Sequence, residues 1–466
     1  MNQTSLEYGL DNYPNLAAVF SALSPHTWPF SLEWLPDHAF LVGGSVRDAL
    51  LGRQSEYLDL DFVLLEGAVE TAQAIARRYR AGFVLLDPER QIARVVFPQG
   101  TADFAAQVGP TLEADLGRRD FTLNAIAYDP HCNQIIDPLR GYEDLQKCQI
   151  RMVAPENLEE DPLRLLRAYR QAAQLGFSLE TETQQVISKL APLLNRMAAE
   201  RVQSELNYLL NSPQGTPWLQ LAWQDGLLKD WLPSASDQKV ALLAAIDRKL
   251  VVLQERSPDF APILFERARG KVKAVRVAGH SSQNSLLTTD GAPGATRNWL
   301  TLAKLASLLS SDPEQAEAQL RRLKYSRTEI QSVSTSLRFL PDLWAAVKGV
   351  DSPAPALVLS LREQCLFFQQ VGATFPAIVL LALASGLPLN LLQPLIDRFL
   401  TADDPVAHPS PLVTGQDLMT HLQLAAGPQI GRLLAEIQLA RAEGVICDRE
   451  DALEFAENFL ATEFRS

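Results

Sequence analysis

The spacing of hydrophobic residues divides the chain into two parts. Over the first 150 residues, short apolar runs alternate with one-faced helical patterns, which predicts a mixed α/β or α+β region. The predicted strands are AFLVGG (39–44), YLDLDFVLL (57–65), GFVLLD (82–87), IARVVF (92–97) and TADFAAQ (101–107). The last two flank PQG, a short hairpin signal, and helices are predicted for SVRDALLG and for AVETAQAIARRY at 68–79.

Beyond about residue 160, the apolar positions recur at helical spacing. Clear examples are 160–177, 201–211 and 313–326, and no convincing strand is visible in this part. Stretches rich in Pro, Gly and Ser interrupt the pattern near 212–217, 279–295, 351–355 and 402–411. The sequence therefore predicts an α+β fold, in which a small α/β head precedes a larger all-helical part.

Composition narrows the class of protein. With 466 residues, 47% of them hydrophobic and 21% charged, the chain is long enough for two or more globular domains. Its formal charge of −13 argues against a nucleic-acid binder that relies on overall charge, so such a partner must be held by local basic patches. The four cysteines form no CxxC pair, so neither a zinc site nor a disulfide framework is predicted.

The sequence predicts neither export nor a membrane partner. The N-terminus, MNQTSLEYGLDNYP, has no basic start followed by an apolar core. The longest apolar run, 377–387, is shorter than the roughly 20 residues that cross a bilayer. We therefore expect a soluble, cytoplasmic protein.

Two aspartates in the predicted strand YLDLDF indicate a metal site. Asp59 and Asp61 are two residues apart, so a strand places both on one face, where their charges repel unless a divalent cation neutralises them. Upstream, Gly43 and Gly44 separate a strand from a helix, so backbone N–H groups can approach a phosphate that Arg47 can also reach. Each feature alone is weak, and an exposed strand with two solvated aspartates is the alternative. Together they predict a nucleotide and metal site.

Five stretches resemble, in order, the motifs of the class II tRNA nucleotidyltransferase and bacterial poly(A) polymerase family, which belongs to the polymerase β-type nucleotidyltransferases. They are GGSVRDALLGRQSEYLDLDFVLLEG (43–67), LGRRDFTLNAIAYD (116–129), DPLRGYEDLQKCQIR (137–151), EDPLRLLRAYRQAAQLGF (160–177) and ERVQSELNYLL (200–210). The resemblance is dense over 39–210 and patchy afterwards. It implies five regions: a helical lead-in (1–38), a nucleotidyltransferase head (39–155), a neck (156–212), an RNA-binding body (213–400) and a tRNA-binding tail (401–466).

The resemblance also implies the chemistry of the head. Asp59 and Asp61 would bind the catalytic Mg²⁺ while the 3′-hydroxyl of tRNA attacks the α-phosphate of CTP and pyrophosphate leaves. ATP is a further candidate substrate. Asp103 is a candidate third metal ligand, with an ordinary polar strand residue as an equal alternative.

The motif RRDFTLNA is implied to hold the nucleotide. By resemblance, Arg119 contacts the nucleotide, and Asp120 and Asn124 organise its sugar and phosphates. The last two residues are four apart and would share one face if a helix begins here. Without the resemblance, an N-capping aspartate with solvated arginines would be the favoured interpretation.

The motif EDPLRLLRAYR is implied to choose the base. Asp161 and Arg164 are expected to be neighbours on a helix with Pro162 in its first turn, and Arg164, Arg167 and Arg170 follow one ridge. A carboxylate beside a guanidinium accepts from the amino group of cytosine or adenine and donates to the adjacent ring nitrogen, so uracil and guanine are excluded. A surface salt bridge is the alternative.

The connection after TADFAAQ is short. Only VGP (108–110) separates this strand from TLEADLGRRDF, where family members that add the whole CCA end carry an extended flexible loop. In the family, shortening there is associated with enzymes that add two cytidines and leave the final A to a separate A-adding enzyme. The resemblance therefore implies a CC-adding enzyme. The alternatives are a CCA-adding or A-adding enzyme, a poly(A) polymerase, a non-catalytic RNA-binding protein and a metal-dependent phosphohydrolase.

Basic residues of the helical part are candidate contacts for tRNA phosphates. They concentrate in FERARGKVKAVR (265–276) and RRLKYSR (321–327). The candidates are Arg267, Arg269, Lys271, Lys273, Arg321, Arg322 and Lys324. A solvated helix face is an equal alternative for each stretch.

Overall fold

The structure is a computed structural model that describes residues 16–53, 57–268, 297–348 and 356–463. The chain forms two compact units. The first extends to Met197 and includes Gln224–Leu227, and the second comprises Ala198–Trp223 and the chain from Leu228 onward. The implied neck, 156–212, contributes to both units, and the five-part division of the chain stays a prediction.

A seven-stranded mixed sheet forms the centre of the first unit. Its strands are β1 (Ala39–Val42), β2 (Leu58–Leu64), β3 (Gly82–Asp87), β4 (Ile92–Phe97), β5 (Gly100–Ala106), β6 (Ala127–Asp129) and β7 (Gln134–Ile136). They lie in the order β3-β4-β5-β2-β1-β6-β7, with β2 and β5 parallel and the other neighbours antiparallel. All five strands predicted from the apolar runs are confirmed within one or two residues, as is the hairpin between β4 and β5.

Aromatic residues cover one face of this sheet. Phe62 of β2 stacks on Phe104 of β5 with ring centroids 5.3 Å apart, and Trp28 and Phe30 pack on Phe62 from the segment before β1. All four rings are buried, and burying a side chain of this size contributes roughly 2–3 kcal/mol. Because side chains alternate along a strand, this layer directs Asp59 and Asp61 to the opposite face.

Helices complete the first unit. They are α1 (Leu16–Leu23), α2 (Gly44–Leu50), α3 (Ala68–Tyr79), α4 (Leu112–Leu116), α5 (Gly141–Gln146), α6 (Pro155–Glu160), α7 (Leu163–Leu175) and α8 (Thr181–Leu190). A short parallel pair joins β8 (Gln149–Ile150) to β9 (Ser178–Leu179). The expectation of no strand beyond residue 160 was wrong for β9, because a two-residue strand carries no readable pattern.

The second unit is built from helices. They are α9 (Ala199–Asn211), α10 (Gly215–Gln224), α11 (Asp237–Arg256), α12 (Trp299–Leu308), α13 (Pro313–Arg322), α14 (Arg327–Ala345), α15 (Leu361–Val371), α16 (Phe375–Ala384), α17 (Leu389–Leu400), α18 (Gly415–Leu422), α19 (Pro428–Ala442) and α20 (Arg449–Glu463). The strands β10 (Val347–Lys348) and β11 (Ala356–Leu357) are a second exception to the predicted all-helical part. All ten residues of α12 are buried, and its Lys304 lies 2.7 Å from a carboxylate oxygen of Asp247.

One helical stretch of the described residues is long and apolar enough to cross a membrane. It covers Leu361–Ala384, which comprises α15, α16 and the 3₁₀ turn Gly372–Thr374 between them. Its most apolar window has a mean hydropathy of 1.8, and 72% of that window is buried. Nine consecutive residues from Phe375 to Leu383 are buried, which indicates a core helix of the second unit.

Candidate active site

The turn between β1 and α2 places a glycine against the predicted metal strand. Gly43 has a φ of +78°, a conformation that favours glycine. A Cβ atom here would lie 3.2 Å from Oδ2 of Asp61 and 3.6 Å from Nη1 of Arg119. At Gly44, a Cβ atom would lie 3.6 Å from Nη2 of Arg47. The absence of side chains at both glycines therefore leaves room where the start of α2, a carboxylate and two guanidinium groups come together.

Asp59 and Asp61 lie on the face of β2 opposite the aromatic layer. Asp59 is exposed and accepts a hydrogen bond from Oγ1 of Thr101 at 2.7 Å, whereas Asp61 is half-buried and pairs in register with Val42 of β1. Burial, together with the nearby charges of Asp59 and Asp103, raises the pKa of Asp61 to about 7. A cation bound between the two carboxylates would remove the repulsion and restore the ionised form.

The third predicted carboxylate is held by an arginine. Asp103 lies beside Asp61 on β5 and opposite Arg94 of β4. Arg94 donates to both of its carboxylate oxygens, from Nε at 2.6 Å and from Nη2 at 2.7 Å. Among the residues that the structure describes, no cluster of three or more His, Cys, Asp or Glu side chains could hold a metal ion. The donors that fit a divalent cation are thus the Asp59 and Asp61 carboxylates, and a ligand role for Asp103 stays a prediction.

A hydrogen-bond network joins α2 to α7. Nη1 of Arg47 donates to Oδ1 of Asn124 at 2.9 Å. Nδ2 of Asn124 donates to Oδ1 of Asp120 at 2.9 Å and to Oε1 of Gln171 at 3.0 Å. The other Asp120 oxygen lies 3.0 Å from Nη2 of Arg167. Because both ends of the Asn124 amide are used, its orientation is fixed, and so is the distance between the two helices at this point.

Asp120 is charged although it is buried. Burial opposes the ionised form, but the Arg167 guanidinium, the Asn124 amide and the N–H of Phe121 hold the pKa of Asp120 below its usual value. The helix predicted to begin here is only a 3₁₀ turn, Thr122–Asn124, because the Asp120 side chain bonds to the next main-chain N–H instead. The contact between Asp120 and Asn124 inferred from their spacing is nevertheless present.

The predicted base-reading pair, Asp161 and Arg164, lies at the start of α7, but only Arg164 belongs to the helix. Asp161 lies outside the helix, in the connection after α6, with φ −128° and ψ 89°. Pro162 explains this geometry, since a proline keeps the preceding residue out of the helical conformation. Arg164 is in the first turn of α7, and its Nη1 donates to the carbonyl oxygens of Arg118 and Asn157 at 2.7 and 3.1 Å. The guanidinium is therefore fixed by main-chain groups outside its own helix.

The arginine ridge of α7 is anchored at its far end as well. Arg164, Arg167 and Arg170 are each half-buried, as expected for one helix face. Nη1 of Arg170 donates to Oε1 of Gln174 at 2.8 Å. Arg53 donates to two carbonyl oxygens of the last turn, at 3.3 and 3.0 Å, which satisfies acceptors that the helix itself leaves without a partner.

The connection between β5 and α4 comprises five residues, 107–111. The N–H of Gln107 donates to the carbonyl of Leu64 at 2.7 Å, and the N–H of Val108 donates to Oδ1 of Asp115 at 3.0 Å. Thr111 then caps α4 with its side-chain hydroxyl. The short connection predicted from the sequence is present, and hydrogen bonds hold it to the neighbouring strand β2 and to the helix after it.

Three family models match successive parts of the chain. One described as the poly(A) polymerase head domain matches 39–107 and 97–151, one for an RNA- and SrmB-binding site of polymerase A matches 176–239, and one for tRNA nucleotidyltransferase domain 2 matches 295–456. The CC-adding tRNA nucleotidyltransferase of Synechocystis sp. is 46% identical over 432 residues, which cover 92% of this chain and 95% of that protein. The chain belongs to the tRNA nucleotidyltransferase and poly(A) polymerase family. The resemblance of its motifs is thereby confirmed, and members of this family are metal-dependent enzymes.

Other members resemble this nucleotidyltransferase over similar lengths. The A-adding tRNA nucleotidyltransferase of Deinococcus radiodurans is 30% identical, covering 91% of this chain and 96% of that protein. The structure of the Bacillus stearothermophilus CCA-adding enzyme in complex with CTP matches with a TM-score of 0.63 and 23% identity, covering 92% and 94% of the two chains. This likeness confirms the predicted fold class, an α+β head followed by helices.

The basic residues of this nucleotidyltransferase that were predicted to meet RNA differ in their surroundings. Arg269, Lys271 and Lys273 lie outside the described residues. Arg267, Arg321 and Lys324 are exposed, and Arg321 forms an ion pair with Glu317. Arg322 donates to the carbonyl of Asp230 at 2.6 Å, and its guanidinium lies 4.9 Å from the centre of the Trp231 ring. Arg322 is therefore part of the packing between α13 and the segment before α11.

Two contributors to the site were missed in the sequence. Gln171 is a buried amide in the otherwise apolar inner face of α7, and a polar residue at a core position was the available signal. Arg94 interrupts the apolar run IARVVF, and counting outward from the hairpin turn brings it opposite Asp103. That register could have been inferred from the short turn alone.

Proposed function

We propose that this chain is a CC-adding enzyme, which transfers two cytidines from CTP to the 3′ end of tRNA and releases pyrophosphate. The observation that carries the proposal is the short, hydrogen-bonded connection 107–111 between β5 and α4. Without a long flexible loop at this position, the nucleotide pocket would be less able to change its shape to accept adenine, which is larger than cytosine. The 46% identity to a CC-adding relative supports the same assignment.

We propose that Asp59 and Asp61 bind Mg²⁺. Carboxylate oxygens are the hard ligands that Mg²⁺ prefers, and burial together with the charges of Asp59 and Asp103 raises the pKa of Asp61, a penalty that a bound cation would offset. When bound, the ion would neutralise the triphosphate and favour ionisation of the attacking 3′-hydroxyl. Asp103 would act mainly through its charge, since Arg94 occupies both of its oxygens in the structure.

The surrounding residues position the nucleotide in this proposal. The backbone at Gly43 and Gly44 would approach the phosphates, and Arg47 and Arg119 would neutralise them. The Asp120 and Asn124 pair, anchored by Arg167, would set the position of the sugar. These groups are already bonded to one another without substrate, and pre-organised electrostatic groups of this kind are where much of the rate acceleration of phosphoryl transfer originates.

Asp161 and Arg164 would read the base. The carboxylate accepts from the cytosine amino group and the guanidinium donates to the ring nitrogen, with Arg170 extending the basic ridge. Arg164→Lys removes the planar guanidinium, whose Nη1 now donates to the carbonyls of Arg118 and Asn157. We expect it to lower the preference for CTP over UTP at least tenfold in a competition assay. An unchanged preference would exclude this guanidinium from base reading.

We propose that tRNA binds along the helical part of the chain. Arg267, Arg321, Arg322 and Lys324 are exposed candidates among the described residues, and the sequence continues from the first into the basic segment 269–273, outside the described residues. Replacing Arg321 and Lys324 by alanine should weaken tRNA binding and flatten its salt dependence, measured by filter binding over a salt series. Arg322 is left in place because its alanine variant would also disturb the Trp231 packing. Unchanged affinity and slope would place the contact elsewhere.

Product length is the decisive test of CC addition. A tRNA that lacks its three 3′-terminal nucleotides is incubated with the protein, CTP and ATP, and the products are resolved at single-nucleotide resolution. We expect products to stop after two cytidines, with the terminal A added only when a separate A-adding enzyme is supplied. Efficient addition of the A by this chain alone would refute the proposal, and long ATP-dependent tails on unrelated RNA would identify a poly(A) polymerase.

Two controls separate catalysis from RNA binding. Asp59→Ala and Asp61→Ala should abolish incorporation while tRNA binding is retained, which a non-catalytic RNA-binding protein could not show. We further propose that the enzyme works in the cytoplasm beside an A-adding partner. Fractionation of cells that express the tagged chain tests this location.

A further inference from the structure

The two aspartates of the proposed metal site are held differently. Asp61 is half-buried, and its Oδ2 lies against the turn at Gly43, so its surroundings confine the side chain. Asp59 is exposed, and the one hydrogen bond that the described residues give its carboxylate comes from Oγ1 of Thr101, at 2.7 Å. An exposed carboxylate without that bond would be free to rotate, whereas a metal ligand must be held in place.

Thr101 lies on the face of the sheet that carries Asp59 and Asp61. Its partner in the parallel ladder between β5 and β2 is Asp59, so the two side chains lie side by side. Its partner on the other side is Val96 of β4, whose side chain has no polar atom. Thr101 is only 8% exposed, so water has little access to its hydroxyl. Asp59 is therefore the cross-strand acceptor that this hydroxyl can reach.

Close packing at Gly100 keeps Thr101 in this position. A Cβ atom at Gly100 would overlap the carbonyl oxygen of Leu58 and lie 2.7 Å from the Leu58 Cβ, so only glycine lets the two strands approach this closely. The N–H of Leu58 donates to the carbonyl oxygen of Gln99 at 3.1 Å, which ties the start of β2 to the hairpin turn before β5. The residue that follows Gly100 thus meets the residue that follows Leu58, and these are Thr101 and Asp59.

The chemistry of the pair fixes the direction of the hydrogen bond. An ionised carboxylate only accepts, so the Thr101 hydroxyl donates its one proton to Oδ1 of Asp59. The described residues give Oδ2 of Asp59 no hydrogen bond, so this second oxygen is available to a cation. The branched Cβ of threonine restricts its χ1 angle, so the donor is oriented before a metal binds.

We propose that Thr101 is a positioning residue for the metal site and acts through Asp59, an inference that rests on the proposed role of Asp59 and Asp61 as Mg²⁺ ligands. The hydroxyl holds one oxygen of the Asp59 carboxylate and leaves the other for the cation. Hydrogen bonds from outside the ligand set commonly orient metal ligands in this way, and their loss costs roughly 10- to 100-fold in metal affinity or activity. We expect an effect at the lower end of that range, because Thr101 is a neutral donor to one ligand.

Binding of Mn²⁺ to the full chain, followed by the loss of the free-ion EPR signal, tests the inference without relying on activity, since Mn²⁺ takes the same oxygen ligands as Mg²⁺. Thr101→Val keeps the shape of the side chain but removes the donor, and should weaken Mn²⁺ binding about tenfold. Thr101→Ser retains the hydroxyl with a less restricted χ1 angle, and should stay within about threefold of wild type. The matched control, Thr71→Val, changes a half-buried threonine of α3 and should bind as wild type. This helix packs on the aromatic face of the sheet, where its Tyr79 contacts Phe97.

The same variants are compared for the Mg²⁺ concentration that gives half-maximal incorporation of CTP. Thr101→Val should need about tenfold more Mg²⁺ than wild type, while kcat at saturating Mg²⁺ and the affinity for tRNA stay close to the wild-type values. A general loss of structure would instead lower kcat at every Mg²⁺ concentration.

Asp59→Ala separates this inference from the proposed function. If Asp59→Ala abolishes Mn²⁺ binding while Thr101→Val binds as wild type, the metal site stands and the positioning role of Thr101 is refuted. Equal losses in Thr101→Val and Thr101→Ser would also refute that role, because the hydroxyl would then not be the group that matters. If the wild-type chain binds no Mn²⁺, or Asp59→Ala binds it as well as wild type, the proposed metal site is itself overturned.

Discussion

Asp61→Asn is expected to stabilise the metal-free protein while it removes a ligand of the proposed metal site. Asparagine keeps the shape of the side chain but removes a charge that lies beside Asp59 and Asp103. The pKa of Asp61 is raised from 3.8 to about 7, mainly by burial. At 1.36 kcal/mol per pH unit, a shift of this size costs about 4 kcal/mol of folding free energy when the group is ionised. Because Asp61 is only half-buried, we expect a gain of about 2 to 4 kcal/mol for the variant.

The sign of the pH dependence follows from the direction of the shift. The folded chain binds the Asp61 proton more tightly than the unfolded chain, so this group favours folding at pH values below about 4. That contribution is lost as the pH rises through the folded-state pKa of about 7. The advantage of Asp61→Asn should therefore be largest at about pH 8 and fall by roughly half or more at about pH 5.

Urea unfolding in the presence of a chelator, followed by tryptophan fluorescence, measures this effect. Wild type, Asp61→Asn and the control Glu66→Gln, an exposed carboxylate just beyond β2, are compared at both pH values. Added Mg²⁺ should then raise the midpoint of wild type and leave Asp61→Asn unchanged. The reasoning is refuted if the variant gains no stability at the higher pH, or gains equally at both.

Two further changes test the supports of the site. Gln171→Leu removes the acceptor that Asn124 uses at 3.0 Å, so we expect kcat/KM for CTP to fall about tenfold with tRNA affinity unchanged. Gln171→Glu retains the acceptor and should lose less of kcat/KM. Equal losses in the two variants would deny Gln171 a positioning role. Gly43→Ala places a Cβ atom 3.2 Å from Oδ2 of Asp61 at a φ of +78°, and should abolish most activity and cost about 1–2 kcal/mol of stability. The control Gly52→Ala, at a φ of +67° with nothing within 4 Å of the added Cβ, should lower stability and leave activity unchanged.

The parts of the site that could be predicted are those that depend on one element at a time. The strand β2 was evident from its apolar residues, and its period of two places Asp59 and Asp61 on one face. The Arg94 to Asp103 pair spans two strands, and its register follows from the short turn between β4 and β5, although the apolar pattern alone does not give it. A bond such as Asn124 to Gln171 joins residues 47 positions apart, and only the packed tertiary structure brings them together.

The helix boundary at Asp161 shows a second reason why sequence-based prediction of the site was incomplete. The spacing to Arg164, with Pro162 in the first turn, favoured a shared helix. A proline also keeps the residue before it out of the helical conformation, and this constraint leaves Asp161 outside α7. The consequence is favourable for the proposed function. The Asp161 carboxylate accepts from the N–H of Leu163 at 3.3 Å, so in the proposed site it would read the base from the start of α7, beside a guanidinium fixed by main-chain carbonyls.

The apolar stretch Leu361–Ala384 matters for how the chain reaches its folded state. Until α11, α12 and α14 pack around α16, a nascent or unfolded chain exposes a segment long enough to span a bilayer. These three helices precede α16 in the sequence, so the helices that bury it are already synthesised when it emerges from the ribosome. Truncated chains that lack α11 or α12 should therefore aggregate or associate with membranes, and chaperones should bind this segment first.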